Sequence, residues 1–335
     1  MMMLIYLLAV IFTCVYLWLK HKKTNCQLSN LESRFVLITG CDTGFGNLLA
    51  KLLDNKGIPV FAGCFTEAGA EKLKMETSTK LQTMLLDVTD PESVSIAAQK
   101  VESWLPPGGG LWGLVNNAGV LASFAPSELL TLDDFEKTFR TNLFGTISMT
   151  LTFLPLIRQA TGRIINVCSA ASQNAVPGIA SYCISKAGIM MFSACLRREL
   201  YRTGVTIHDI LPGGFETNLS NLSKMRTMFV KPFQRCTDDQ LQFYGGNIAR
   251  YVLKIIDSKP YFSRKPICVA EAMEHALCAK CPKREYRVGL DMLLFYTPLS
   301  LLPNFVGDWL FGWVKPYGVQ LTGLQESEKS DRRRA

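Results

Sequence analysis

The chain has 335 residues, a mean hydropathy of +0.15 and a net charge of +8, part of it at Lys20-His21-Lys22-Lys23 and Arg332-Arg333-Arg334. That length can bury a large core, as one α/β domain or two smaller ones. The basic residues form no continuous stripe with interleaved aromatics, which argues against nucleic acid and suits a membrane surface. The eleven cysteines are scattered, and the one Cys-x-x-Cys (Cys278, Cys281) lacks a second pair, so we expect reduced thiols and no metal.

Residues 1–19 carry no charge and are dominated by Leu, Ile, Val, Phe, Tyr and Met. Such a run is long enough to cross a bilayer as a helix. No basic residue precedes it and no small-x-small cleavage site follows it, which sets it apart from a signal peptide. We expect a transmembrane anchor over 1–19 and a basic flank and linker over 20–33. The positive-inside rule leaves the rest of the chain on the cytoplasmic side.

Residues 35–39 form an apolar run of buried-strand type, followed at once by Gly40, Asp42, Thr43, Gly44, Phe45 and Gly46, then by a helical pattern over 47–55. Strand, glycine turn and helix are the context of a dinucleotide turn. Glycines let the backbone approach a pyrophosphate, and the helix N-terminus offers it N–H groups. Residues 58–65 are a second strand, whose end selects NAD or NADP. Cys64-Phe65-Thr66 carries neither charge there. Two features favour NAD: no Arg or Lys lies in the glycine turn, and Asp42 would repel a 2′-phosphate. Residues 85–88 close a third strand with Asp87 and Val88, where a helix cap before Pro91 is the competing reading of Asp87. Residues 111–115 are a fourth strand, and Asn116, Asn117, Ala118 and Gly119 follow it. Small residues there permit close approach to an adenosine ribose, while the asparagines can equally tie strands together. Strands alternating with helices predict a parallel sheet covered on both faces, with ligands at the carboxyl ends of the strands.

Residues 135–154 have helical periodicity and carry Asn142; residues 162–169 are a fifth strand ending on Ser169. Thirteen residues on comes Tyr182, with Lys186 one helical turn further. An ammonium beside a phenol lowers the phenol pKa and prepares a proton-transfer group, although Tyr-x-x-x-Lys alone also fits an ordinary amphipathic helix. Ser172 competes with Ser169 for the serine role. Residues 205–211 are a sixth strand, followed by Pro212, Gly213 and Thr217.

Taken together, the Gly-x-x-x-Gly-x-Gly turn, Asn116-Asn117-Ala118-Gly119, Asn142, Ser169 and Tyr182-x-x-x-Lys186 resemble the short-chain dehydrogenase/reductase family over residues 30–300. The resemblance implies a Rossmann-like doubly wound parallel sheet over 34–290, built as a single domain. It also implies that Asp87 and Val88 contact adenine. Asn142 would kink its helix and hold a water next to Lys186, and Pro212, Gly213 and Thr217 would contact the nicotinamide amide and pyrophosphate. Relatives mostly carry two serines where this chain has Cys168-Ser169. Ser169 and Tyr182 would hold the substrate hydroxyl, Tyr182 would take its proton, and Lys186 would also hold the nicotinamide ribose.

Residues 38–46, 111–119 and 196–200 are similar to the membrane-bound retinol dehydrogenases and related hydroxysteroid dehydrogenases. Residues 60–64 and 212–215 resemble 17β-hydroxysteroid and 3-hydroxybutyrate dehydrogenase members. These imply oxidation of a hydrophobic alcohol, a retinoid or steroid, by an enzyme of the endoplasmic reticulum membrane, and a homodimer. The alternatives are a 3-hydroxybutyrate dehydrogenase and a catalytically silent NAD-binding protein. Residues 220–290 read as a substrate lid and a return to the sheet. Residues 291–324 are strongly apolar and interrupted by Pro298 and Pro303. They read either as a core- or dimer-packed tail or as a membrane-dipping segment. Residues 325–335 form a polar tail.

Overall fold

The computed structural model describes residues 26–217, 222–244, 263 and 265–313. The expected anchor, the basic cluster after it, part of the lid and the polar tail fall outside the described residues. Among the described residues no helix is long and apolar enough to cross a membrane.

Among those residues, seven strands form one parallel sheet: Val36–Thr39 (β1), Val60–Cys64 (β2), Leu81–Leu85 (β3), Gly113–Asn116 (β4), Arg163–Val167 (β5), Thr206–Pro212 (β6) and Glu285–Val288 (β7). Their order is β3-β2-β1-β4-β5-β6-β7. The direction of winding reverses between β1 and β4, which is where such sheets bind ligands. Strands β1, β2, β4 and β5 are buried along their whole length. Helices cover both faces, so these strands read as apolar runs without alternation.

Successive side chains of a strand point to opposite faces. Val36 and Ile38 pack with Leu49 and Leu53 of Gly44–Asn55 (α1), Leu73 of Glu67–Met75 (α2), and Val269, Met273 and Leu277 of a helix late in the chain, Ile267–Cys278. Leu37 points the other way. It joins Val94 and Val101 of Pro91–Trp104 (α3), Phe153 and Ile157 of Thr146–Gln159, and Leu196 of Ala180–Glu199.

The helix expected over 135–154 forms as part of one run over 132–159, widened in its middle. It divides into Leu132–Phe139 (α4), a π-helical turn Arg140–Gly145 and Thr146–Gln159 (α5). The wide turn contains Asn142, and such bulges concentrate at functional sites. Ala180–Glu199 (α6) carries Tyr182 and Lys186. Leu222–Phe233 (α7) and Asp238–Tyr244 (α8) form a strap over the loop that follows β4. Phe229 meets Phe124 with ring centroids 5.8 Å apart, the Arg235 guanidinium donates to Asp134 Oδ2 at 2.7 Å, and the Tyr244 hydroxyl donates to Glu128 Oε2 at 2.8 Å. Ile267–Cys278 (α9) then leads back to the sheet edge at β7.

One row across the sheet is polar. Asn116, Asn166 and Asp209 are register partners on β4, β5 and β6. Asn116 Nδ2 donates to Asn166 Oδ1 at 2.8 Å and to Thr150 Oγ1 at 3.0 Å. Asn166 Nδ2 donates to Ser193 Oγ at 2.8 Å, and Ser193 Oγ donates to Asp209 Oδ1 at 2.6 Å. The Arg197 guanidinium ends the chain of contacts on Asp209 Oδ2 at 2.8 Å.

After β7 comes a second π-helical turn, Met292–Tyr296, then Thr297–Ser300 (α10) and Asn304–Trp313 (α11). Met292 is buried against Cys168, Ala170, Ile189 and Leu211. The outer surface of the segment is apolar: Leu290, Leu294, Leu301, Phe305 and Trp309 are all exposed.

Candidate active site

Every site residue expected from the sequence lies at or just beyond the carboxyl end of a strand, or on an element packed against those ends. Gly40 and Gly44 adopt φ of +70° and +69°, where a side chain would be strained. A Cβ at Gly46 would collide with the Asn117 amide and lie 2.6 Å from the Gly40 carbonyl oxygen. Thr43 precedes α1 in extended conformation without capping it through its side chain. The N–H groups of the first turn of α1 are therefore left to a ligand or to water. Phe45 packs edge-on against Phe215 at 5.8 Å, and Thr217 approaches Gly44, its Cβ lying 3.9 Å from where a Gly44 Cβ would sit. The glycine turn and the loop after β6 thus meet.

The Asp42 carboxylate is held at the end of β2. Its Oδ2 accepts from the Phe65 N–H at 2.7 Å, and its Oδ1 from the Thr66 N–H and hydroxyl at 2.9 and 2.7 Å. Asp87 lies beyond β3 and forms a local turn, accepting from the Thr89 N–H at 2.9 Å. The cap of α3 is Asp90, not Asp87. Val88, Asn116 and Ala118 line one crevice with Thr39 and Thr141. The Asn116 side chain belongs to the polar row in the sheet. Asn117 instead donates to the Thr39 and Gly40 carbonyls at 2.8 and 3.0 Å. Thr39 completes this tie: its hydroxyl accepts from the N–H groups of Asn117 and Ala118 at 3.0 and 2.9 Å.

On the other side of the switch point the four expected catalytic side chains converge. Ser169 lies two residues beyond β5; its hydroxyl accepts from the Ala171 N–H at 3.1 Å and stands near enough to the Tyr182 phenol to favour its ionised form. Ser172 is turned to the backbone, accepting from the Ser169 N–H at 3.0 Å, which separates the two serines. Lys186 is buried; its Nζ donates to the Val167 carbonyl at 2.7 Å and lies 5.7 Å from the Tyr182 ring centroid. Asn142 is fully buried, accepts from the Val120 N–H at 2.8 Å, and donates to the Val120 carbonyl at 2.9 Å and to Ser185 Oγ at 3.1 Å. A Cβ at Gly119 would sit 3.4 Å from both Asn142 Oδ1 and Lys186 Nζ, so the loop after β4 closes over them.

The electrostatics differ from the expectation that Lys186 lowers the tyrosine pKa. Burial pushes the Tyr182 phenol up to about 12, with the Ser169 hydrogen bond pulling the other way. Burial also pushes the Lys186 ammonium down to about 8. The lysine gives a hydrogen bond to the Val167 carbonyl, and desolvation is the largest influence on the phenol.

Sequence reasoning missed Thr39, Ser185 and Asp291. Thr39 is signalled only by its place before the glycine turn, and Ser185 by its place between Tyr182 and Lys186. Asp291 accepts from the Gly214 N–H at 2.6 Å across 77 residues of sequence, and no local pattern marks it.

A family model described as short chain dehydrogenase matches residues 34–226. The chain belongs to the short-chain dehydrogenase family. Retinol dehydrogenase 7 of Rattus norvegicus is 41% identical over 319 residues, covering 94% of this chain and 99% of that protein. Retinol dehydrogenase 16 of Homo sapiens is 41% identical over 312 residues, covering 93% and 98%. A short-chain dehydrogenase from Streptomyces avermitilis shares the fold at a TM-score of 0.64 and 23% identity, covering 84% of this chain and 97% of that one. This short-chain dehydrogenase is thus an enzyme of the branch that holds the retinol dehydrogenases.

Proposed function

We propose that the enzyme oxidises the hydroxyl of a hydrophobic alcohol, a retinol or hydroxysteroid, to the aldehyde or ketone with NAD. The observation that carries this reading is the meeting of Ser169, Tyr182, Lys186 and Asn142 beside a glycine turn whose close packing leaves room only for hydrogen at Gly46. That cradle and the uncapped start of α1 fit a dinucleotide, with Gly40, Thr43, Gly44, Phe45, Gly46, Ala118, Gly119, Pro212, Gly213 and Thr217 around it. Bound there, the nicotinamide supplies the hydride acceptor. Asp42 supports NAD over NADP: its fixed carboxylate at the end of β2 repels a 2′-phosphate, and residues 40–46 and 64–70 contain no basic group to offset it.

Ser169 holds the alcohol oxygen, and Tyr182 takes its proton as the carbinol hydrogen leaves with its electron pair. Lys186, with its Nζ 5.7 Å from the ring centroid, places a positive charge beside the phenolate that must exist beforehand, against the burial that holds the phenol up at about 12. Asn142 holds the loop at Val120 and, through Ser185, the helix that bears both groups. The apolar substrate class is supported by the retinol dehydrogenase relatives and by the exposed apolar face at 290–309. Together with the uncharged run at 1–19, that face supports a location on a membrane, where such alcohols partition; the endoplasmic reticulum is the membrane that the resemblance to the retinoid and steroid enzymes implies.

The test is reduced-cofactor formation by the membrane-embedded protein, offered NAD or NADP with all-trans-retinol, a 17β- and a 3α-hydroxysteroid, and 3-hydroxybutyrate. Turnover of retinol or a steroid with NAD is expected. Turnover of hydroxybutyrate alone, or a clear preference for NADP, overturns the reading.

A further inference from the structure

The loop after β6 is built on Gly213 and Gly214, and adjacent glycines leave a backbone with unusual freedom. Something must hold it if it is to present a defined surface. On one side it is pinned by a short bridge to Ser263, whose N–H donates to the Gly214 carbonyl at 2.8 Å. On the other side stands Asp291. Its Oδ2 accepts from the Gly214 N–H at 2.6 Å. A Cβ at Gly213 would collide with this carboxylate, and a Cβ at Gly289 would lie 2.5 Å from its Oδ1. Gly289 has φ of +114°, the bend that turns the chain back so that the carboxylate two residues later reaches the loop. Three glycines from two distant segments therefore surround one acidic side chain.

The same loop carries Phe215 and Thr217, which touch the glycine turn at Phe45 and Gly44. Asp291 in turn opens the apolar segment, whose buried Met292 packs against Cys168, the neighbour of Ser169. We propose that Asp291 is a positioning residue that fixes the Pro212-Gly213-Gly214 loop for the nicotinamide end of the cofactor, so that the C-terminal segment completes the cofactor site. This rests on the dinucleotide reading above. A carboxylate acceptor suits this position, since it makes a short, directional bond to one backbone N–H and fills the space left by the missing glycine side chains.

The test uses the full-length chain purified in detergent. Binding of NAD and of ADP-ribose, which lacks the nicotinamide, is measured by calorimetry, together with hydrogen exchange over 212–217. Asp291→Ala should weaken NAD about tenfold or more, leave ADP-ribose within about twofold, and speed exchange in the loop. Asp291→Asn keeps an uncharged acceptor and should weaken NAD only about threefold, again sparing ADP-ribose. Should the alanine variant not fold, the asparagine variant carries the test by the same two readouts. Unchanged NAD binding with unchanged loop exchange overturns the proposal. So does an equal loss of both ligands, which would mark Asp291 as a support of the fold only. A wild-type protein that binds neither NAD nor NADP overturns the dinucleotide reading itself, and the proposal with it.

Discussion

The Tyr182–Lys186 pair should give alcohol oxidation a specific dependence on pH. The productive form has an ionised phenol and a charged lysine. With the phenol at about 12 and the ammonium at about 8, the share of this form grows about tenfold per pH unit below 8. Above 8 the phenol continues to ionise, but the lysine loses its proton at the same rate, and the two effects cancel. Initial rates of oxidation at limiting alcohol should therefore rise about fiftyfold from pH 6 to 8 and level off between 8 and 10. Reduction needs the protonated phenol with the charged lysine. It should be level up to pH 8 and fall about tenfold per unit beyond it. Lys186→Arg supplies a charge that does not titrate, so its oxidation rate should keep rising past pH 8. A wild-type profile that is flat from 6 to 8, or that still climbs steeply above 9, would refute this account of the pair.

Three further outcomes follow from individual contacts. Burial holds His208 at about 4 against 6.5 in the unfolded chain, so stability is intact above pH 6.5 and is lost as pH falls through 4, by roughly 3 kcal/mol. His208→Asn should flatten that acid limb in a plot of thermal midpoint against pH. Gly46→Ala forces a methyl group onto the Gly40 carbonyl and the Asn117 amide; we expect destabilisation of about 1–3 kcal/mol in denaturant melts and loss of measurable NAD binding by calorimetry. Arg235→Ala releases one latch of the strap on Asp134, a carboxyl that burial would raise but that bonds from Thr131, Arg235 and Ser123 bring down to about 2. It should raise the KM for the alcohol several-fold in steady-state assays while the NAD affinity measured by calorimetry stays unchanged.

What was legible in the sequence was local. A strand such as Val36–Thr39 is buried on both faces and announces itself as an apolar run, and the glycines that follow it are needed within a few residues of one another. The thirteen-residue step from Ser169 to Tyr182 and the helical turn to Lys186 are local in the same sense. What was not legible depended on distant partners. The π-turn at Asn142 widens a helix whose periodicity gives no sign of it, the kink being implied only by the family resemblance; there the side chain reaches both Val120 and Ser185. The raised phenol pKa reflects desolvation of a ring that the fold leaves only half-buried, which a four-residue spacing does not encode. Asp87 illustrates a smaller ambiguity. Two aspartates precede Pro91, and only the backbone shows that Asp90 caps the helix while Asp87 stays in the turn at the strand end.

Strands that are apolar on both sides have little to stop one sliding past another by a pleat, since Val, Ile and Leu replace each other at small cost. The row of Asn116, Asn166 and Asp209 removes that freedom, because a shifted strand would strand buried amide and carboxylate groups without partners. The row also works as a ruler. Three residues beyond its members on β4, β5 and β6 come Gly119, Ser169 and Pro212, one from each side of the reaction centre. A polar line inside the sheet thereby sets the relative heights of three loops that must agree to within a fraction of an ångström above it.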